Sequence, residues 1–194
     1  MKLRTLYLGF FMLSSSVFSA NADLSAPYRI QDINNMTDTV YIETFRPLFN
    51  DNTWIIEESS KKRPFMGFED MLQAILNVIK ATDQQTQIKL ITGHPDLACK
   101  SMRAAGIAAT SQSEQTKSGL NECTEEEASR LQLLNQQYKD KFGFPFLLAV
   151  KGYNKDDIFV EMQQRITNDP DTEFNIAMQQ YYKVRLLRML DLVK

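Results

Sequence analysis

The sequence predicts an all-α fold, a single helical domain of about seven to nine helices. Three observations carry that expectation. Glycine is scarce, 7 in 194 residues, while Leu, Met, Gln, Glu and Lys are plentiful, a composition that favours helices. Phe68, Met71, Leu72, Ile75, Leu76 and Ile79 recur at i, i+3, i+4, i+7, i+8 and i+11, the apolar stripe of an amphipathic helix. Thr124-x-x-Glu127 has the form of a capping box, and Gly143 stands where the helix it opens should stop.

Taken in order, Thr37 to Phe49 carries Val40, Ile42, Phe45, Leu48 and Phe49 at helical spacing, with Thr37 or Thr39 as the cap. Asn50 to Phe65 reads as an irregular linker, and the stripe of residues 68–79 follows it. Residues 84–93 form a helix closed by Gly93, and Pro95 disfavours helical geometry at His94, so the imidazole falls at a break in the backbone. Residues 98–108 are alanine-rich and read as a short helix ending near Gly106. Ser111-x-x-Glu114 is either a second capping box or part of a polar face on which Ser111, Glu114, Gln115 and Ser118 lie together. The box at Thr124 opens a helix through Leu131, Leu134, Tyr138 and Phe142. Phe144 to Val150, apolar and broken by Pro145, reads as a short extended stretch in the interior; it has no sheet to satisfy its amides, so a ligand or neighbouring loops must do so. Asn154 caps a helix from Lys155 to Ile166. The last helix begins near Asp171 and buries Phe174, Ala177, Met178 and Tyr181. Arg188, seven residues beyond Tyr181, shares that inward face, where it needs an anionic partner unless its stem snorkels to solvent.

Apolar residues make up 43% and the formal net charge is −2, so neither nucleic acid nor an anionic membrane surface is an expected partner. The first 22 residues stand apart. Lys2 and Arg4 precede the apolar run Leu6 to Leu13, and Ala20-Asn21-Ala22 has the form of a small-x-small cleavage site. That pattern predicts a secretory signal peptide at 1–22, an exported (periplasmic or secreted) domain at 23–194 and no stable membrane insertion after cleavage, an uncleaved tether being the alternative. Export would bring Cys99 and Cys123 to an oxidising compartment, where they form either a disulfide or a pair of buried thiols. One histidine and two cysteines at this spacing make no metal set. His94 is the single histidine, and the one side chain whose ordinary pKa suits proton chemistry near neutral pH; the bland alternative is a structural histidine beside a proline.

Several segments together resemble the 2-oxo-4-hydroxy-4-carboxy-5-ureidoimidazoline (OHCU) decarboxylases. They are Trp54 with Arg63-Pro64-Phe65, His94-Pro95-Asp96-Leu97-Ala98, Ser111-x-x-Glu114-Gln115 with Gly119-Leu120, and Leu134-Asn135-x-x-Tyr138. Phe142-Gly143-Phe144-Pro145-Phe146 with Ala149-Val150-Lys151-Gly152 follows, and Arg188-x-x-Asp191-Leu192 ends the series. The ordered set spans roughly residues 37 to 193. The resemblance implies an all-helical, usually dimeric enzyme without metal or organic cofactor, which decarboxylates OHCU to (S)-allantoin in urate degradation. It implies that His94 is the catalytic acid/base and that Glu114 and Arg188 are the other catalytic members. It further implies that Pro95, Ser111, Gln112, Ser113, Glu114 and Gln115, with Phe146, Leu147, Leu148, Ala149 and Val150, hold the substrate. Relatives of this kind are commonly cytosolic or peroxisomal, so export is a departure. The alternatives are a decarboxylase of a related ureido or imidazoline acid, and an exported, non-catalytic small-molecule-binding protein with the same pocket.

Overall fold

The computed structural model describes residues 27–49 and 52–194; the signal-peptide reading of residues 1–22 lies outside them. Among the described residues there are nine α-helices, two 3-10 turns and no strand. A single parallel bridge, Tyr28 to Val193, brings the two ends of the described fold together. The helices are α1 (Ile30–Asn34), α2 (Asp38–Phe45), α3 (Trp54–Ser60), α4 (Phe68–Lys80), α5 (Gln84–Thr92), α6 (Ala109–Lys117), α7 (Glu125–Phe142), α8 (Lys155–Arg165) and α9 (Pro170–Leu192).

Local signals set most boundaries. The Thr37 side chain caps α2, and Pro47 tightens the chain after it into a 3-10 turn at Arg46–Leu48. Helix α7 opens on the complete Thr124/Glu127 box and closes on Gly143, whose φ of 76° is the left-handed conformation that only glycine adopts freely. Asn154 and Asp157 make a second box at α8, and Asp169 caps α9. The α4 stripe is buried as the periodicity requires: Met71, Leu72, Ile75, Leu76 and Ile79 all enter the core. The long α9 packs against α4, α5 and α7 and so runs through the centre of the molecule. Among the described residues no helix is long and apolar enough to cross a membrane.

Two expectations are corrected, and one of two alternatives is removed. The supposed linker contains α3, a two-turn helix that starts without a side-chain cap and is held by its buried face of Ile55, Ile56, Ser59 and Ser60. Packing rather than end signals makes that helix. Residues 98–108 are not a helix; only Lys100–Met102 turns, as a 3-10 element. Cys99 is joined to Cys123 by a disulfide, the Lys100 amide donates to the Leu120 carbonyl at 2.9 Å, and Arg103 donates to Ala98 and Asn121. These tethers outweigh the helix propensity of the alanines. Ser111-x-x-Glu114 is no capping box either, because α6 starts at Ala109 and both residues fall within it.

A candidate active site between two helices and a pinned loop

His94 sits just past the end of α5, its amide donating to the Ile91 carbonyl at 3.0 Å. The loop it begins is fixed from three sides. Gln115 donates to the Asp96 carbonyl and accepts from the Ala98 amide, both at 3.1 Å, so one amide side chain reads the backbone as a neighbouring strand would. Asn135 donates to the Leu97 carbonyl at 2.8 Å, and Lys139 pairs with Asp96 at 2.8 Å. The backbone around His94 and Pro95 is therefore held in place without a ligand.

The imidazole is 9% exposed and stands edge-on to Tyr181, ring centres 5.4 Å apart. Its Nε2 accepts from Arg185 Nη2 at 2.6 Å. Burial first, then the positive charges of Arg185 and Arg188, push the His94 pKa well below its ordinary value, so the ring is neutral at neutral pH. His94, Pro95 and Ser111 line a cleft of about 710 Å³ whose other walls include Arg46 and Pro47.

Helix α6 supplies the second wall. Ser111, Gln115 and Ser118 are buried and Glu114 is half-buried on the same face, which is the polar face the spacing predicted. Arg188 of α9 grips Glu114 in a bidentate pair, Nε to Oε1 at 2.8 Å and Nη2 to Oε2 at 2.9 Å, and Nη2 also reaches Ser111 Oγ at 3.3 Å. The anionic partner that the inward Arg188 required is thus Glu114. One donor remains: Arg188 Nη1 is buried and has no partner among the described residues. The Arg188 side chain also lines a cavity of about 190 Å³, with Glu114, Ala149 and Val150 among the other walls.

The structure places the remaining sequence-derived candidates unevenly. Gln112 is exposed, and exposed Ser113 opens on a surface cleft shared with Glu114 and Arg188. Gln115 is a loop anchor, with both ends of its amide occupied. In the stretch Phe144 to Val150, which is neither helix nor strand, Ala149 and Val150 reach the cavity; Phe146, Leu147 and Leu148 are buried and line none of the described cavities. Neighbouring side chains satisfy part of its backbone. Arg165 Nη1 donates to the Leu147 carbonyl at 2.8 Å, and the Ala149 amide donates to Gln180 at 3.1 Å. The Val150 amide has no partner among the described residues. Arg165 is itself locked by buried Glu173, which also accepts from Tyr138 and Asn168. Among the described residues no three His, Cys, Asp or Glu side chains are grouped to hold a metal ion.

Sequence reasoning overlooked Arg185. It is four residues beyond Tyr181, on the stripe that identified Arg188, so the periodicity contained the signal. A fully buried arginine without a carboxylate is rare enough that the pattern alone did not suggest it.

A family profile described as OHCU decarboxylase matches residues 34–190. The "Uric acid degradation bifunctional protein" of Bacillus sp. (strain TB-90) is 34% identical over 86% of this chain, which spans 32% of that relative's length. The 2-oxo-4-hydroxy-4-carboxy-5-ureidoimidazoline decarboxylase of Mus musculus is 30% identical over 83% of this chain and 90% of its own. Among solved structures, an (S)-allantoin synthase superposes with a TM-score of 0.68 at 21% identity, covering 84% of this chain and 53% of that one. An OHCU decarboxylase crystallised in the presence of (S)-allantoin gives 0.61 at 19% identity, over 79% of this chain and 96% of that one.

Proposed function

The chain belongs to the OHCU decarboxylase family, and from that premise we propose that it removes carbon dioxide from 2-oxo-4-hydroxy-4-carboxy-5-ureidoimidazoline to give (S)-allantoin, a carbon–carbon lyase step of urate degradation. The observation within the site that carries this reading is Arg188: a buried guanidinium, fixed by Glu114 and Ser111, with one donor left unpaired, on a side chain that lines a small cavity. That is a receptor for an anionic or carbonyl oxygen, prepared before the ligand arrives.

The substrate's chemistry fits so small a set of groups. Its carboxylate and hydroxyl share one ring carbon, and the neighbouring ureido-bearing carbon is part of a C=N bond. When the carbon–carboxylate bond breaks, its electron pair forms a C=C bond to the ureido-bearing carbon and the C=N pair passes to the ring nitrogen, which takes up a proton from solvent, leaving a neutral enol and releasing CO2. A proton then joins the ureido-bearing carbon on one face, and the enol loses its O–H proton to become the ring carbonyl. The substrate's own C=N takes the electrons, so the protein's work is orientation, charge stabilisation and facial control of one proton. In this reading the Arg188 guanidinium receives a substrate oxygen, Val150 lines the same cavity with an amide free of partners among the described residues, and the neutral imidazole of His94 meets the ligand from the larger cleft.

We propose export through a cleaved signal peptide as the setting, supported by the Cys99–Cys123 disulfide, which persists in oxidising compartments. A homodimer is proposed from the family resemblance alone. The test is to generate the unstable substrate from urate in situ and to follow allantoin formation and its optical sign with and without protein. Wild type should give the S enantiomer at an enhanced rate, and His94→Asn should lose about 10²–10⁴-fold in kcat. Wild-type turnover by His94→Asn would sink the histidine's role. Racemic allantoin at the uncatalysed rate from wild type would favour the binding-protein alternative.

A further inference from the structure

Arg185 has no obvious reason to be where it is. It is among the largest fully buried side chains, 1% exposed, and it lines none of the described cavities. No carboxylate pairs with it: Nη1 donates to the Leu48 carbonyl, Nη2 to His94 Nε2, and Nε has no partner among the described residues. Its guanidinium lies over the rings of Tyr181, at 4.2 Å, and Phe49, at 5.0 Å. A cation taken out of water on such terms is costly, since ring faces and one carbonyl replace only part of its hydration. The acceptor that completes the set is the imidazole.

That contact dictates the state of the ring. A guanidinium is always protonated and only donates, so His94 Nε2 must present a lone pair. An imidazolium there would set two cations 2.6 Å apart in the interior. The neutral ring therefore carries its proton on Nδ1. That atom has no partner among the described residues, and His94 borders the large cleft.

We propose that Arg185 is a positioning residue that locks His94 as a neutral, Nδ1-protonated imidazole, so that the histidine meets the substrate as a hydrogen-bond donor and not as a base. The inference rests on the decarboxylase reading and narrows it: His94 polarises a substrate oxygen, and no proton needs to leave the ring. A neutral imidazole is an effective electrophile where an imidazolium is too costly to maintain. The groups around His94 agree in sign. Arg185, Arg188 and Tyr181 face it from α9, Ser111 comes from α6, Arg46, which lines the same cleft, is paired with Glu43, and the carboxylates of Glu114 and Asp96 are paired with Arg188 and Lys139.

His94 is the single histidine, so a ring-nitrogen correlation spectrum of the uniformly ¹⁵N-labelled chain reports it without assignment. In wild type we expect protonated Nδ1, bare Nε2 and no titration across the ordinary histidine midpoint of about 6.5, any protonation coming only at lower pH. Arg185→Met keeps the stem and removes the donor. It should let the Nε2-protonated form appear, move the titration up, and lower kcat at least about tenfold while KM changes less than about threefold. Arg185→Lys, which retains a donor, should restore the wild-type tautomer and part of the rate. Protonated Nε2 or an imidazolium at neutral pH in wild type overturns the proposal, as does an Arg185→Met spectrum and rate identical to wild type. If Arg185→Met does not fold, the wild-type spectrum still decides the tautomer and Arg185→Lys the rate. The expected spectra from a wild type that makes no allantoin would refute the decarboxylase reading and leave Arg185's hold on the tautomer standing.

Discussion

Removing Glu114 should destabilise the fold as well as the reaction, and the size of the effect follows from the Arg188 contact. Arg188's side chain is 6% exposed and Glu114's 35%, so the arginine depends on this carboxylate while the carboxylate keeps some water. Glu114→Ala deletes two charge-assisted hydrogen bonds and leaves a buried guanidinium with only Ser111 Oγ as acceptor. Breaking a fully buried pair costs about 3–5 kcal/mol; with one partner a third exposed the expectation falls to about 1.5–3 kcal/mol. At about 2–4 °C per kcal/mol for a chain of this length, Tm should drop by about 3–12 °C. Glu114→Gln keeps one acceptor oxygen and should lose about half as much. Thermal melts followed by circular dichroism measure both. In an Arg188→Met background the cost of Glu114→Ala should shrink to under about 0.5 kcal/mol, because the stranded charge is gone. A Glu114→Ala protein that melts with wild type, or that is equally destabilised in both backgrounds, would refute the pairing argument.

Reducing Cys99–Cys123 opens a loop with a sequence separation of 24, worth about 3.5 kcal/mol in the chain-entropy description, so melts with and without reductant should differ by about 7–14 °C; coincident melts would refute it. The His94 pKa is lowered in the folded state, so the unfolded chain binds a proton first: stability should be intact above about pH 6.5 and fall below it by up to about 1.4 kcal/mol per pH unit relative to His94→Asn. Denaturant titrations of the two proteins from pH 7 to 5 check the sign, and parallel curves would refute the buried neutral ring. Glu173→Ala strands Arg165 and unties Tyr138 in the core, and should cost about 3–5 kcal/mol in the same titration; a loss under about 1 kcal/mol would contradict it.

How much of this was readable in the chain depends on where each element draws its stability. Helix α4, the box at Thr124 and the cap at Asn154 are specified by residues within a few positions of each other, and period and cap chemistry located them. Helix α3 has no such local signature; it exists because Ile55 and Ile56 have a core to enter. The stretch after Cys99 went the other way, since its alanines favour helix but a disulfide and the Arg103 contacts hold it open. At the site, His94 was conspicuous as the lone histidine, and Arg188 as a cation on an apolar face. What no spacing revealed was pairing: that Arg188 would meet Glu114, that Gln115 would hold the loop, and that Arg185 would reach His94 across 91 residues.

The Tyr28–Val193 bridge has an architectural consequence. The Tyr28 amide donates to the Leu192 carbonyl at 2.7 Å and the Lys194 amide to the Tyr28 carbonyl at 2.9 Å, so the fold's entry and exit points are laced side by side. A domain whose ends meet can be spliced into a surface loop of a host protein with short connectors, or be given new ends elsewhere, without pulling on its interior. Joining 28 to 193 through a flexible linker and reopening the chain at an exposed turn far from α6 and α9 would keep every contact of the site. The same closure suits this module to chains in which it is one part of a larger polypeptide, as in the bifunctional Bacillus relative three times the length it matches.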